Sequence, residues 1–402
     1  AGEISGAELA EAEGCMARSN GHCMTMGTAS TMACLTEIMG VQLPGGAALP
    51  ANDSRRRRLA HLTGRRIVEM VREDLALSRI LTRTAFENAV RANAALGGST
   101  NAVVHLLALA GRLGVHFSLD DFDKLAINVP ALVDLMPAGR FLMEEFAYAG
   151  GVGALVNRLT EHLDSTALTV TGRSLAENCA GEQCWNDEVI RSLDNPVKPA
   201  GSHIAVLRGN LAPAGAVIKQ SAATPDLLRH RGRARVWDRV EDYLAEAERD
   251  DCDITADDVL VIRYAGPRGY PGMPEIANVA LPKRLLRQGV RDMIRISDAR
   301  MSGTSYGTVI LHVAPEAAVG GPLALVHDGD VIELNVPERR LDLLVDEAEL
   351  ERRRSQWRPP ILADARRGYL RLYVDHVQGA ELGADFDFLQ GNSGAPLPRQ
   401  AF

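Results

Sequence analysis

The chain has 402 residues, which is enough for two domains of ordinary size. Its 44 basic and 52 acidic residues give a net charge of −8, which argues against a nucleic-acid-binding surface. No apolar run reaches membrane-spanning length, and six cysteines at irregular spacing do not form the pattern of a disulfide framework. We therefore expect a cytoplasmic protein with reduced thiols that binds neither nucleic acid nor a membrane.

Residues 1–196 are predicted to be mainly helical, with glycine-rich joints between the helices. Gly40 is a suitable end for the first long helix, and Gly97-Gly98 for the third. Ser99-Thr100-Asn101 opens the next helix with residue types that cap helix starts. The expected helices are 25–39, 55–76, 84–96, 102–113, one that begins at 118–122, and 141–159 with an interruption at 150–153.

The sequence changes character after Asn195-Pro196. Short β-rich runs separated by Gly, Pro and Asp turns predict a β-barrel or a sandwich, with one inserted helix at 236–247. The expected strands are 204–207, 216–219, 259–264, 293–296, 307–313, 331–335 and 341–345. We therefore predict an α/β fold with three parts. A mainly helical α/β N-terminal domain covers 1–196, a β-barrel-like domain covers 197–360, and a tail over 361–402 has one helix and is of a kind that often packs on a neighbouring subunit.

The first candidate site is the loop Ser19–Met32, where Cys23 lies between glycines and just before a helix. The unpaired backbone N–H groups at a helix start favour a thiolate or a substrate carboxylate. A thiolate also binds soft metals and iron–sulfur clusters. His22 either orients a substrate or bonds a loop carbonyl, and the sequence leaves both possibilities open.

The other cysteines have simpler interpretations. Cys34 falls inside the helix that follows Cys23, and we expect it in the core. Cys179 and Cys184 do not have a common zinc-binding spacing, which favours ordinary structural thiols.

The second candidate site is the segment Tyr264–Glu275, which follows a predicted strand. Three glycines and three prolines within nine residues make it a stiff, turned loop. Glu275 ends this loop and is predicted to begin the next helix. The local sequence alone favours a carboxylate stabilised by the dipole of that helix.

The third candidate site is the segment Ile296–Gly307, where a strand enters a turn with Ser302 at its tip. Without further context, a serine before a glycine is a turn residue. Asp298 and Arg300 are expected to form a structural ion pair or to support the loop.

These motifs occur together in the order and at the separations found in the dihydroxy-acid and sugar-acid dehydratases, and the chain resembles the pentonate (arabinonate/xylonate) branch of that family. The residues around Cys23 differ from those of the branched-chain enzymes. Ala265 also replaces the glutamate that those enzymes have at this position.

The resemblance implies a hydro-lyase that dehydrates a pentonate, such as L-arabinonate or D-xylonate, to the 2-keto-3-deoxy acid. It implies that Cys23 is a ligand of a [2Fe–2S] cluster, with [4Fe–4S] remaining open, and that Glu275 binds Mg²⁺. Ser302 would be the general base, acting as an alkoxide in the field of the metals. The implied substrate-binding residues are Thr304, His22, Ser99 and Thr100, although a capped helix start explains the last two equally well.

In this scheme Mg²⁺ holds the substrate carboxylate and the C2 oxygen, Ser302 removes the C2 proton, and a cluster iron assists departure of the C3 hydroxyl. It requires Cys23, Glu275 and Ser302 to converge on one pocket between the domains. The resemblance also implies a homodimer or homotetramer. It leads us to expect that the family's upstream segment, with two further cluster cysteines, is missing and that the chain alone is inactive.

Three alternatives remain open at this point. The chain could dehydrate a hexonate or a dihydroxy acid, or it could be a non-catalytic, truncated sugar-acid-binding homologue.

Overall fold

The computed structural model describes residues 4–15, 20–360 and 363–391. The chain divides into two compact units. The first comprises residues 1–102 and 125–203, and the second comprises residues 103–124 and 204–402. Ser19, at the start of the Cys23 motif, and the tail beyond residue 391 lie outside the described residues. No helix in the described ranges is long and apolar enough to cross a membrane.

Ten α-helices are described before residue 197, and they include those that the sequence predicted. The break expected at 150–153 is shorter than predicted, because the next helix already begins at Gly151. Gly97, with φ +62°, ends the helix 83–96 in the left-handed conformation that glycine adopts most easily. The helices are α1 Gly6–Cys15, α2 Thr28–Ile38, α3 Ser54–Arg72, α4 Leu77–Ile80, α5 Arg83–Leu96, α6 Asn101–Arg112, α7 Leu119–Ala126, α8 Met143–Tyr148, α9 Gly151–Arg158 and α10 Leu175–Cys179.

The core of the first unit forms where α2 packs against α5 and α9. Alanine dominates the buried face of α5, and small side chains let helix backbones approach closely. The buried Asn88 on α5 exchanges two hydrogen bonds of 2.9 Å with the backbone of Asp164. This pairing satisfies a polar side chain that would otherwise be costly to bury.

Eight strands of the second unit form one sheet in the order β1-β2-β6-β5-β4-β3-β7-β8. The central strands β6, β5, β4 and β3 run parallel, and antiparallel strands flank them. A bridge between Arg208 and Arg340 links the two ends of the sheet, so the sheet is a nearly closed barrel. The strands are β1 Ile204–Leu207, β2 Gly215–Lys219, β3 Arg229–Trp237, β4 Val259–Ile262, β5 Arg295–Ser297, β6 Val309–Ala314, β7 Val331–Asn335 and β8 Arg340–Leu343.

The predicted α/β fold with a barrel-like second part is confirmed, but the sequence analysis missed β3. This strand alternates outward-facing arginines with residues such as Gly232 and Ala234, which are buried. Arginine is not typical of strands, so the two-residue period was obscured. The inserted helix therefore begins at Val240, and the prediction that it begins at residue 236 is wrong.

The remaining helices of the second unit are short. The helix predicted in the tail is present among the described residues. The bounds of these remaining helices are α11 Val240–Ala247, α12 Lys283–Arg287, α13 Glu347–Gln356 and α14 Gly368–His376.

Candidate active site

The Cys23 loop lies in the first unit, and two backbone hydrogen bonds fix it. The Met143 N–H donates to the Met24 carbonyl at 2.7 Å, and the Met26 N–H donates to the Met136 carbonyl at 2.8 Å. Cys23 itself is exposed, with the Thr25 hydroxyl 3.8 Å from its Sγ. The loop thus presents one exposed thiol on a backbone that two hydrogen bonds fix in place.

The start of α2 follows the Cys23 loop in the chain. Its N-cap, Gly27, makes no side-chain capping bond, and its first turn has no acidic residue. The positive end of the helix dipole therefore has no acidic side chain beside it in the first turn, and such an end is suited to a bound anion.

His22 contacts the backbone of the same loop. Its Nδ1 lies 2.8 Å from the Cys23 carbonyl oxygen, as the carbonyl-binding alternative requires. His22 also lines a cavity of about 120 Å³ together with Arg56 and Asn52. Its contact with a substrate stays a prediction.

The segment Gly97–Asn101 packs against the start of α2. The Ser99 and Thr28 hydroxyls lie 3.0 Å apart, the Ser99 N–H donates to the Thr31 hydroxyl at 3.0 Å, and Ser99 Oγ accepts from the Asn101 N–H at 3.1 Å. Ser99 and Thr100 have no exposed surface. The structure thus favours the capped helix start, and substrate contact by these two residues stays a prediction.

Cys34 and Cys179 are buried. Burial raises the pKa of Cys34 and raises that of Cys179 to about 12, so both remain protonated. The Cys184 thiol lies 3.5 Å from the Ile190 carbonyl oxygen. These positions agree with the predicted structural roles.

In the second unit, two buried carboxylates hold the loop Tyr264–Glu275 by its backbone. Asp298 accepts from the Ala265 N–H and from the Ala317 N–H, both at 2.9 Å. Glu316 accepts from the Arg268 and Gly269 N–H groups at 2.9 Å. These bonds pair three backbone N–H groups of the loop with two carboxyl groups that are buried beneath it.

Burial raises the pKa of both carboxyl groups. Loss of water raises the pKa of Asp298 to about 6. The same burial, together with the nearby charge of Asp298, raises the pKa of Glu316 to about 7. The pair therefore takes up protons near neutral pH.

Glu275 is paired with Arg300 across this loop. Its Oε1 lies 3.5 Å from Arg300 Nη1, and Arg300 Nε donates to the Met273 carbonyl at 2.7 Å. Of the two expectations for Asp298 and Arg300, support of the loop is therefore confirmed: Asp298 bonds the loop backbone, and Arg300 pairs with Glu275.

The prediction that Glu275 begins a helix is wrong. Ile276 forms an antiparallel bridge with Met301, and the Ala277 N–H donates to the Arg300 carbonyl at 3.0 Å. The next helix begins only at Lys283. Backbone pairing between two loops outweighs local helix propensity here, so no helix dipole stabilises the Glu275 carboxylate.

The same pairing places the Ser302 turn beside the Glu275 loop. Ser302 Oγ lies 2.9 Å from the Thr304 hydroxyl and 3.4 Å from the Thr304 N–H. Ser302 is half-buried, and the side chain of Glu275 is 36% exposed. The Glu275 carboxylate, the Arg300 guanidinium and the Ser302 hydroxyl therefore lie on two loops at one edge of the barrel. Backbone pairing between Ile276 and Met301 joins these two loops.

Sequence reasoning missed two histidines near this pair of loops. His105 on α6 lies within electrostatic reach of Arg300 and Glu275, and burial and Arg300 lower its pKa. His312 on β6 is buried near Arg300 and His105. A histidine inside an otherwise apolar strand, Val-Ile-Leu-His-Val-Ala, was the signal that marked His312.

The described residues do not form a complete metal-binding site by themselves. Within residues 4–15, 20–360 and 363–391, no group of three or more His, Cys, Asp or Glu side chains is arranged to hold a metal ion. Cys23 belongs to the first unit, whereas Glu275 and Ser302 belong to the second. The convergence of these three residues on one pocket stays a prediction.

Comparison with known proteins places this geometry in a family. The model of the N-terminal part of the dihydroxy-acid/6-phosphogluconate dehydratases matches residues 1–178, and the model of their C-terminal part matches residues 188–384. The chain is 54% identical to an L-arabinonate dehydratase of Rhizobium leguminosarum, over 98% of the chain and 68% of that protein. It is 56% identical to an L-arabonate dehydratase of Azospirillum brasilense (99% and 70%). It is 47% identical to a 6-deoxy-6-sulfo-D-gluconate dehydratase of Pseudomonas putida (96% and 67%).

These matches extend over both units and include the loops of Cys23, Glu275 and Ser302. They confirm the resemblance inferred from the motifs. The chain belongs to the dihydroxy-acid/6-phosphogluconate dehydratase family, whose members are hydro-lyases.

Proposed function

We propose that this hydro-lyase acts on a pentonate, L-arabinonate or D-xylonate, and converts it to the 2-keto-3-deoxy acid. The observation that carries the proposal is the backbone pairing of the Glu275 and Ser302 loops, which joins a carboxylate, an arginine and a hydroxyl. Relatives named as arabinonate dehydratases, at 54% and 56% identity, support the choice of a five-carbon sugar acid.

Ser302 has the role of the base in this proposal. Its Oγ takes the proton from C2 of the sugar acid, hydroxide leaves from C3, and the enol formed between C2 and C3 tautomerises to the 2-keto acid. Thr304, 2.9 Å from Ser302 Oγ, orients the serine hydroxyl. The positive charge of Arg300 favours the ionised serine and a substrate carboxylate nearby.

The residues present fit part of the family's cofactor requirement. Members of the family use an iron–sulfur cluster and Mg²⁺. The exposed Cys23 thiol fits one ligand of a cluster, which we propose is [2Fe–2S], and the Glu275 carboxylate fits one hard oxygen ligand of Mg²⁺. When bound, these groups supply Lewis acidity at the substrate carboxylate and at the departing hydroxyl. No complete ligand set lies within the described residues.

The test is a substrate panel with the purified protein, loaded anaerobically with iron, sulfide and Mg²⁺. The 402-residue chain is assayed by itself and joined to any residues encoded upstream of Ala1. We expect 2-keto-3-deoxy acid from L-arabinonate or D-xylonate, and loss of product in a Ser302→Ala variant. Unchanged turnover in that variant would exclude Ser302 as the base.

A hexonate is the second candidate substrate, because a relative named for a sulfogluconate is 47% identical to the chain. Gluconate and 6-deoxy-6-sulfogluconate therefore belong in the same panel. A higher kcat/KM for either acid than for both pentonates would replace the pentonate proposal.

A further inference from the structure

His312 is a buried histidine with an unusual backbone. Only 4% of the residue is exposed, and its φ of +55° lies in the left-handed region that few residues other than glycine adopt. Neither ring nitrogen has a hydrogen-bond partner among the residues that the structure describes. An unpaired buried polar atom and a left-handed residue each cost free energy, so the arrangement needs a compensating partner.

A β-bulge explains how His312 reaches this position. Along the β2–β6 pair, Val217 faces Leu311 but Gly215 faces Ala314, so β6 has one extra residue. The His312 N–H donates instead to the Ala299 carbonyl, at 3.1 Å, in the loop that leads to Ser302. Bulges of this kind re-aim a side chain and are frequent beside active sites.

The bulge also removes His312 from the barrel core. Ile310 and Val313 belong to the same buried hydrophobic cluster, although residues three apart on an unbroken strand face opposite sides. The extra residue thus keeps both apolar side chains in the core and turns the imidazole elsewhere.

Two titratable side chains interact with His312, one in the Ser302 segment and one on α6. Arg300 and His105 lie within electrostatic reach of the imidazole, and Arg300 is itself paired with Glu275. Burial and these two groups lower the pKa of His312 to about 3, so the ring is neutral. A neutral imidazole has one N–H donor and one nitrogen acceptor, which is the pattern that a hydroxyl group complements.

We propose that His312 binds a hydroxyl group at the Glu275 edge of the barrel, and that this hydroxyl belongs either to the polyol chain of the substrate or to an ordered water beside it. The inference rests on the proposed function, because that function brings a polyhydroxylated acid to this edge. It adds a hydroxyl-binding residue to the base Ser302, its neighbour Thr304 and the carboxylate of Glu275.

The test uses two replacements with opposite chemistry at the same backbone. His312→Asn keeps a donor and an acceptor and tolerates a positive φ, whereas His312→Gly relieves the backbone and removes both groups. His230→Asn is the control, since His230 lies in the same barrel with its Nε2 already 2.8 Å from the Asp257 carbonyl oxygen. Thermal unfolding of each variant reports any purely structural effect.

The readouts are KM and kcat of the holoenzyme for L-arabinonate and for glycerate, a 2,3-dihydroxy acid without further hydroxyls. We expect His312→Gly to raise KM for L-arabinonate about threefold to tenfold, the effect of one lost hydrogen bond, and His312→Asn to restore part of it. An unchanged KM for glycerate identifies a substrate hydroxyl, and an equal rise for both acids identifies an ordered water. Unchanged KM for both acids in His312→Gly would overturn the proposal.

A crystal structure of the unliganded protein tests the inference without turnover. An ordered water within hydrogen-bond distance of either ring nitrogen supports a hydroxyl site, and apolar contacts around both nitrogens refute it. If the wild-type protein turns over no sugar acid, the proposed function fails, and this crystallographic result alone decides the role of His312.

Discussion

The buried carboxylate of Glu316 makes the stability of the second unit depend on pH in a specific way. Its pKa is raised from the usual 4.5 to about 7 by burial and by the charge of Asp298. The folded state therefore binds more protons than the unfolded state between these two pH values. The contribution of the protonated Glu316 to the free energy of unfolding is therefore complete below pH 4.5. It is lost as the pH rises through about 7.

The size of this effect follows from the pKa change. One pKa unit corresponds to about 1.4 kcal/mol, so Glu316 lowers the free energy of unfolding by about 3 kcal/mol between pH 4.5 and pH 7.5. Glu316→Gln removes this titration. It also replaces one acceptor oxygen facing the Arg268 and Gly269 N–H groups with an amide nitrogen, at a cost of about 1–3 kcal/mol. We therefore expect the variant to be less stable than the wild type at pH 4.5 and to approach or exceed it at pH 7.5.

The assay is urea unfolding at several pH values, followed by tryptophan fluorescence in a Trp185→Phe background. Trp185 is 74% exposed, and the other two of the three tryptophans, Trp237 and Trp357, both lie in the second unit. Glu338→Gln, at an exposed glutamate of the same unit, is the matched control. Parallel pH dependence of the wild type and Glu316→Gln between pH 4.5 and 7.5 would refute the reasoning.

Three further substitutions test the Tyr264–Glu275 loop and the thiols. Gly266→Ala should lower the free energy of unfolding by about 1–3 kcal/mol in the same assay, because the added Cβ would lie 2.6 Å from Glu316 Oε2 and 2.8 Å from Glu316 Cβ. Unchanged stability would show that the Glu316 side chain can move aside without a cost in free energy. Cys23→Ser should remove most of the iron bound after reconstitution, whereas Cys34→Ser should retain it and lower stability, since Cys34 is fully buried. Iron per protein, measured by plasma mass spectrometry, distinguishes them, and equal retention in both variants would exclude Cys23 as a ligand.

Much of the fold was predictable because local patterns agreed with the final structure. The two helices that precede Gly40 and Gly97 end where the sequence indicated, because glycine easily adopts the left-handed conformation that stops a helix. Most barrel strands were visible as short apolar runs. β3 was not, because its arginines conceal a two-residue alternation.

The candidate site was predictable only in its parts. The loops of Cys23, Glu275 and Ser302 stand out by composition and by resemblance, but nothing local indicated that Glu275 precedes a bridge to the Ser302 turn. Local sequence favoured a helix start, and pairing between segments distant in the chain prevailed.

The amino-acid sequence was enough to infer the family, through the order of its motifs, and the α/β fold with a barrel-like part, because glycine, proline and apolar spacing act through near neighbours. The folded structure was needed to show that Arg300 pairs with Glu275, that Asp298 and Glu316 hold the loop backbone, and that a bulge in β6 lies at His312. These contacts join residues far apart in the chain. Their energies depend on burial and on the register of the strands, which arise when the barrel assembles.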